Sequence, residues 1–458
     1  MKVTVIGTGY VGLTTGASLA YLGHEVTCVD VDEVKVEQLT GGIMPFYEPG
    51  MKELIQTQQD RMQFTSSYWE AIMEADVIFF AVGTPANSDG SPNLTYLFTA
   101  VEETVGYLRM KEKRTVLINK STVPVGTGDQ IARKVQEAGL ESKVKVASNP
   151  EFLRQGRAIQ DTLYPDRVVV GGDDASSGIL RELYGNLLEQ SFEPPFHAPR
   201  PAGYTKPDYI HVDRRSAELA KYAANAFLAM KISFINEIAN VCDRVGADVK
   251  QVADIIGKDP RIGSSFLQAG IGYGGDCFPK DTRALHYIAD TNGYDFKLLS
   301  AVIEVNQSQR MVMIQKLRER LGELAGKHIA VLGLAFKPGT DDLREAPSIP
   351  IIESLVAEGA HVRVHDPVAM EKARPLLPDV IHFSEGVTEL LANADAALLV
   401  TEWPEYTRLN AEEMKSLMRQ PILIDGRNAM NRANFEDFDY QGIGTGLKRQ
   451  VERAYAKP

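Results

Sequence analysis

Cysteine is scarce in this chain: three thiols, Cys28, Cys242 and Cys277, in 458 residues. So few and so scattered, they build neither a disulfide framework nor a thiolate metal cluster, and no metal site is expected. Positive charge is also short. Lys and Arg number 49 against 61 Asp and Glu, a net charge of -12, which excludes the broad basic surface that nucleic acid or an anionic membrane requires. A small anionic ligand remains compatible, because a few local lysines and arginines suffice to bind one. No apolar run is long enough to span a bilayer. The opening MKVTVIGTG lacks the apolar segment and cleavage site of a secretory signal. A reduced, cytoplasmic protein is expected, and its length implies more than one core.

What is present is concentrated at the start. KVTVIG is a β-branched run of the kind that forms a buried parallel strand. It leads into Gly7-Thr-Gly9-Tyr-Val-Gly12, then into LTTGASLAYLG with helical spacing and a terminal glycine. HEVTCVDVD follows as a second strand ending at Asp30 and Asp32. Glycines between strand and helix, with a carboxylate about 20 residues on, form the dinucleotide fingerprint. The glycines admit the pyrophosphate, the helix N-terminus stabilises its charge, and Asp30 takes the ribose 2′-hydroxyl. A 2′-phosphate would be repelled there, so NAD is expected rather than NADP. Further strands are predicted within 75–85, 114–124 and 143–152. Thr84, Thr122 and Glu151 fall at their carboxyl ends, where α/β sheets bind ligands.

KHIAVLGLAFKPG (327–339) and EGAHVRVHDP (358–367) repeat the opening design without its second and third glycines. They predict a second α/β domain that binds something other than NAD. Between the two, 216–245 holds no Gly or Pro and is apolar on most faces, so it reads as a buried helix packed in its own chain and against a second subunit. The fold class expected is α/β, two Rossmann-like doubly wound domains joined by a long central helix. Its divisions are 1–212 (NAD-binding), 213–325 (helical, dimerising, carrying Cys277) and 326–458 (the second α/β domain). Cys28 and Cys242, in strand and helix, are core residues.

Cys277 is different. It follows Gly274 and Gly275, which would let a ligand approach, and Lys280 and Asp281 lie just beyond. With a helix starting near Pro279, the thiol sits at its positive end, where its pKa would fall. A thiolate beside NAD can add to an aldehyde, and the adduct can lose hydride to become a thioester. Lys221 and Asn225 share a helical face one turn apart, suited to binding and polarising an oxygen.

Taken together, VIGTGYVGL, YEPG (47–50), STVPVGT (121–127), NPEFLRQGRAIQD (149–161), PDRVVVGG, ELAKYAANAF, GYGGDCFPKD, FKPGTDDLREAPS (336–348) and DGRN (425–428) resemble the nucleotide-sugar dehydrogenases over essentially the whole chain. FPKD and PDRVVVGG look like the UDP-glucose branch rather than the GDP-mannose or UDP-N-acetylmannosamine branches. The resemblance implies an NAD-dependent enzyme that oxidises C6 of UDP-glucose twice, giving UDP-glucuronate. Cys277 would be the nucleophile, Lys221 and Asn225 would hold the C6 oxygen, and Asp281, Thr122 and Glu151 would order the hydrolytic water.

Gly7, Gly9, Tyr10, Val11, Gly12, Asp30 and Lys35 would bind NAD, as would Thr84, Pro85, Thr122, Gln155, Lys280 and Arg344. Glu151, Phe152, Leu153, Lys221 and Asn225 would touch the sugar nucleotide. So would the loop Phe266, Leu267, Gln268, Ala269 and Gly270, together with Gly274, Phe278 and Lys337. Arg427 would sit near the uridine, and Arg261 would reach a neighbouring subunit's site in a homodimer or higher oligomer. One position departs from the family's FLREG: Gln155 cannot serve as a general base, so any carboxylate role there moves to Glu151 or Asp281. Two alternatives fit less of the sequence. A β-hydroxyacid-type dehydrogenase also pairs Lys and Asn one turn apart, but it needs neither the thiol nor the second α/β domain. A silent nucleotide-sugar sensor would have lost Cys277, Lys221 or Asn225.

Overall fold

The computed structural model describes residues 1–87 and 89–446. Its packing divides the chain into two compact units, Met1–Ala224 and the remainder from Asn225. In the first, VIFF of strand β4 (Val77–Phe80) is buried along its whole length. Val77 and Phe79 join one apolar core, while Ile78 and Phe80 join another. A strand apolar at every position must be covered on both faces, and helices on both sides of a parallel sheet provide that cover.

Around β4 the strands are β1 (Lys2–Ile6), β2 (Glu25–Val29), β3 (Met62–Thr65), β5 (Thr115–Asn119), β6 (Val144–Ser148), β7 (Arg167–Gly171) and β8 (Asp208–Val212). Their spatial order is β3-β2-β1-β4-β5-β6-β7-β8, with β1 to β6 parallel and β7 meeting β6 antiparallel at Ser148 and Gly171. The order reverses between β1 and β4, the switch point at which such sheets bind ligands.

The second unit repeats the winding. β9 (His328–Leu332), β10 (His361–His365), β11 (His382–Phe383), β12 (Ala396–Leu399), β13 (Ile422–Asp425) and β14 (Asp439–Gly442) lie in the order β11-β10-β9-β12-β13-β14. All of these pairings are parallel. The two sheets bear out the doubly wound α/β class. Asp366, after β10, accepts hydrogen bonds from the amides of Leu334, Ala335, Val368 and Ala369 and from Trp403 Nε1. With five donors on its two oxygens, this carboxylate ties the loop together and has no capacity left for a ribose, which fits a domain that binds something other than NAD.

The long helix spans Arg214–Val245. One face carries Ile235, Ala239 and Cys242 into the second unit's core. On another, Phe227 (58%), Phe234 (52%), Val241 (52%) and Val245 (62%) are exposed in the single chain, the first three at heptad spacing. The helix that is apolar on most faces is thus only half-buried within its own chain. Among the described residues no helix is long and apolar enough to cross a membrane.

Candidate active site

The turn after β1 is built for a close-lying ligand. Gly7 has φ +98°, and a side chain at Gly12 would overlap the Gly7 carbonyl oxygen. Both glycines are therefore required by the chain's own packing. Gly9 is another matter: nothing lies within 4 Å of where its side chain would point, and it heads the helix Tyr10–Tyr21. That open space at a helix N-terminus is where a pyrophosphate fits. Asp30, nearly buried, accepts from Thr8 N at 2.9 Å, Thr8 Oγ1 at 2.6 Å and Lys35 Nζ at 2.8 Å. Burial would raise its pKa, but the bonds from Lys35 and Thr8 outweigh that and hold the carboxyl below its usual range. It is anionic at neutral pH, as a ribose acceptor must be. These residues fit a dinucleotide.

The sheet's carboxyl edge brings the next group together. Thr84 Oγ1 donates to the Thr122 carbonyl at 2.8 Å. Glu218, on the long helix, accepts from the amides of Gly126 and Gly128 and from Ser148 Oγ at 2.7–2.9 Å, which anchors the loop carrying Thr122. Lys221 Nζ meets Glu151 Oε1 at 2.8 Å, with both side chains at most 6% exposed. Glu151 Oε2 also accepts from Leu153 N at 2.7 Å. Burial pushes the Glu151 pKa up, but the Lys221 charge overrides it and the net shift is downward. Phe152 has the Arg167 guanidinium 4.0 Å over its ring and the Lys221 ammonium at 5.6 Å. Gln155 is buried, and the amide of the next residue, Gly156, donates to Glu48 Oε2 and reaches Tyr10 Oη. Tyr10 in turn stacks on Phe46 at 4.7 Å. Val11 is partly buried against the first unit's core, and Pro85, next to Thr84, is exposed and accepts from Asn93 N.

In the second unit Cys277 is the first residue of the helix Cys277–Thr291, two residues earlier than expected, with Asp276 as its N-cap. It is half-buried, whereas Cys28 and Cys242 are buried. Asp281, one turn on, accepts from Asn225 Nδ2 and Lys280 Nζ, each at 2.6 Å. Burial would lower the Lys280 pKa, but Asp281 and the neighbouring acidic groups raise it overall. Arg344 pairs with Asp276 at 2.9 Å and Asp342 at 2.7 Å.

The glycines before Cys277 have a cause unlike the expected one. A side chain at Gly275 would strike the Phe336 ring, and one at Gly274 the Glu345 carbonyl. Their smallness accommodates the chain's own 336–345 segment, which Gly275 N also bonds at Arg344 O. Glu345 is fixed there by Arg283 and Arg310.

The remaining expected residues fall into different settings. Phe266 has φ +65° and lies 6.1 Å from Phe278, ring to ring. Leu267 and Ala269 are buried, Gln268 bonds the Ser264 carbonyl, and Gly270 N donates to Asn236. Lys337 stands over the Phe336 ring at 5.3 Å. Arg427 donates to the carbonyls of Val400, Gly272 and Phe336, so its guanidinium clamps three segments together. Arg261 is 87% exposed and pairs with Asp259 at 2.6 Å.

Two groups at the first unit's edge have no counterpart in the sequence reading. Lys120 follows β5 and is buried, with its Nζ 3.1 Å from Asn149 Oδ1. Glu48, within the YEPG segment, accepts from the Gly156 and Ala158 amides and holds the loop after Phe152. A lysine at a strand's carboxyl end beside Thr122 was the available signal for the first. A motif quoted without a role was the signal for the second.

With this geometry in hand, comparison with known proteins is informative. Residues 1–188 match the NAD binding domain of the UDP-glucose/GDP-mannose dehydrogenase family, 215–308 its central domain and 330–432 its UDP binding domain. The UDP-glucose 6-dehydrogenase YwqF of Bacillus subtilis (strain 168) is 46% identical, covering 97% of this chain and 98% of that one. The UDP-glucose 6-dehydrogenase of Rhizobium meliloti (strain 1021) is 43% identical, covering 97% and 99%. Among solved structures, a UDP-glucose dehydrogenase from Pyrobaculum islandicum superposes with a TM-score of 0.86 at 38% identity, covering 96% and 97%. A UDP-D-ManNAc dehydrogenase from Pyrococcus horikoshii reaches 0.81 at 26% identity, covering 97% and 99%.

Proposed function

The chain belongs to the UDP-glucose/GDP-mannose dehydrogenase family, and on that premise we propose that it oxidises C6 of UDP-glucose in two steps to UDP-glucuronate through a covalent intermediate on Cys277. The observation that carries the reading is the half-buried thiol heading a helix whose next turn holds Asp281, bonded to both Lys280 and Asn225. The turn shaped by Gly7 and Gly12 would hold NAD, its pyrophosphate at Gly9 and its ribose at Asp30, and a fresh NAD would supply the hydride acceptor for each oxidation. The first oxidation converts the C6 alcohol to an aldehyde, the hydroxyl proton passing to the water that Asp281 and Thr122 hold. The Cys277 thiolate then forms an S–C6 bond, and Lys221 and Asn225 donate to the oxygen that becomes anionic. Loss of the second hydride leaves a thioester. Water ordered by Asp281 and Thr122 attacks C6, Glu151 takes its proton, and the S–C6 bond breaks to release the acid and restore the thiol. Gln155 has no part in the proton transfers.

In the same proposal 1–212 serves NAD, 213–325 the chemistry and dimerisation, and 326–458 the UDP group, which the matches to NAD binding, central and UDP binding domains support. The higher identity to UDP-glucose enzymes than to the UDP-D-ManNAc enzyme supports the choice of sugar. The test is stoichiometry at completion. UDP-glucose should yield two NADH per molecule, while GDP-mannose and UDP-N-acetylmannosamine yield little. A ratio of one would leave the thiol without its proposed task, and no NADH from UDP-glucose would move the substrate.

A homodimer is the second part of the proposal, through the stripe of Phe227, Phe234 and Val241. Large apolar side chains repeated at this spacing on an exposed helix face suit a helix-on-helix contact. Phe227→Asp combined with Phe234→Asp should sediment as a monomer where the parent sediments as a dimer. A parent that is monomeric at micromolar concentration would remove the interface.

A further inference from the structure

Lys221 has two tasks that conflict. It neutralises the buried carboxylate of Glu151 at 2.8 Å, and in the reading above it also holds the substrate oxygen. Turning toward a substrate would strip Glu151 of its ion pair while its carboxylate stays buried, where an uncompensated charge is costly. A second cation on the same edge of the sheet removes the conflict, and Lys120 is placed to be one. Its ammonium is buried, 5.9 Å over the Phe79 ring, and bonds Asn149 Oδ1 at 3.1 Å. Asn149 is itself fully engaged: Oδ1 also accepts from Tyr184 Oη at 2.6 Å, and Nδ2 donates to Val169 O at 2.8 Å. Lys120 therefore grips the chain two residues before Glu151, on the segment that delivers it.

We propose that Lys120 is a positioning residue for Glu151: it clamps Asn149 and supplies the second positive charge that keeps Glu151 ionised when Lys221 turns to the substrate. This rests on the reading of Glu151 as acceptor of the water's proton. The attraction between Lys120 and Glu151, and the repulsion between Lys120 and Lys221, both appear in the electrostatics of the cluster. Burial brings the Lys120 pKa down to about 8, so at neutral pH it still carries its charge. The other charged and titratable groups facing this cluster are Lys221 and Glu218 on the long helix, Arg167 at the start of β7 over Phe152, and Tyr184 on Asn149.

The test is the pH profile of kcat for Lys120→Gln, which keeps a donor for Asn149 without the charge, and Lys120→Arg, which keeps the charge. Removing a nearby cation disfavours the ionised carboxylate, so the acid limb of the Gln variant should move up by about one pH unit. On the acid limb the rate at a given pH should fall up to about tenfold, as a one-unit shift requires, while near neutral pH, where Glu151 stays ionised, the rate, NAD affinity and Tm stay close to the parent. The Arg variant should keep the parent's limb. An acid limb in Lys120→Gln that superposes on the parent's, or an equal shift in both variants, overturns the proposal. Should neither variant fold, Asn149→Ala removes the side chain that Lys120 grips, and an acid limb that superposes on the parent's there would overturn the proposal. Glu151→Gln, run alongside, separates the two claims. If that variant is fully active, the reading of Glu151 itself fails, whatever Lys120 does.

Discussion

Cys277→Ser is expected to bind NAD and UDP-glucose as the parent does while turnover falls by about 10³-fold or more. A serine hydroxyl has the shape of the thiol but is scarcely ionised at neutral pH, so it cannot take the aldehyde into a covalent adduct at a useful rate. In the proposed mechanism the first oxidation precedes the thiol's attack. Residual NADH should therefore stop near one per UDP-glucose, and hydroxylamine should trap an aldehyde. Alkylation gives an independent route to the same residue. Cys28 and Cys242 are buried and Cys277 is half-buried, and burial pushes the Cys28 thiol up to about 12. Iodoacetamide should thus inactivate the enzyme with one thiol modified, and UDP-glucose should protect it. A serine variant that makes two NADH at near-normal rate would end the covalent mechanism, though the fold and the NAD site would stand.

The parts of this site that could be read from the sequence are those fixed by local chain geometry. Gly7, Gly12 and Asp30 are legible because a strand, a turn and a helix in close succession impose their residue types. Lys221 and Asn225 are legible because four residues on a helix share a face. The second α/β domain announces itself by repetition, and Asp366 occupies the place of Asp30 while being saturated by its own loop. What escaped the sequence depends on segments distant in the chain. Gly274 and Gly275 look like room for a ligand until Phe336 and Glu345, some sixty residues on, are seen to occupy that room. Arg427 looks like a free guanidinium for a nucleotide until its carbonyl partners at Gly272, Phe336 and Val400 are known. Lys120 is one more strand-end lysine until Asn149 and the Phe79 ring are seen to hold its ammonium. Sequence spacing gives neighbours along an element, and only the packing gives neighbours across elements.

The same distinction between charge and chemistry makes Lys221→Met the second decisive variant, best read against Glu151→Gln and the double substitution. Lys221→Met leaves Glu151 as a buried carboxylate with Lys120 as its remaining compensating charge, a loss of about 3 kcal/mol of stability, and in the proposed mechanism it removes a donor to the developing oxyanion, about 10²–10³ in kcat. In the double variant the carboxylate is also gone, and a neutral amide beside methionine should recover most of the stability. Activity should not return, because neither the oxygen-binding ammonium nor the proton acceptor is restored. The sign of the pH dependence follows from the lowered Glu151 pKa. A carboxyl held below its unfolded value, 4.5, contributes stability above that pH and loses it as pH falls through the folded value. The parent should therefore lose this increment on acidification, whereas the double variant has none to lose. Thermal melts of all four proteins between pH 7 and pH 4, beside their kcat values, decide the matter. If the double variant stays as unstable as Lys221→Met, the penalty is one of packing rather than charge. If it regains activity, Lys221 does not hold the reacting oxygen.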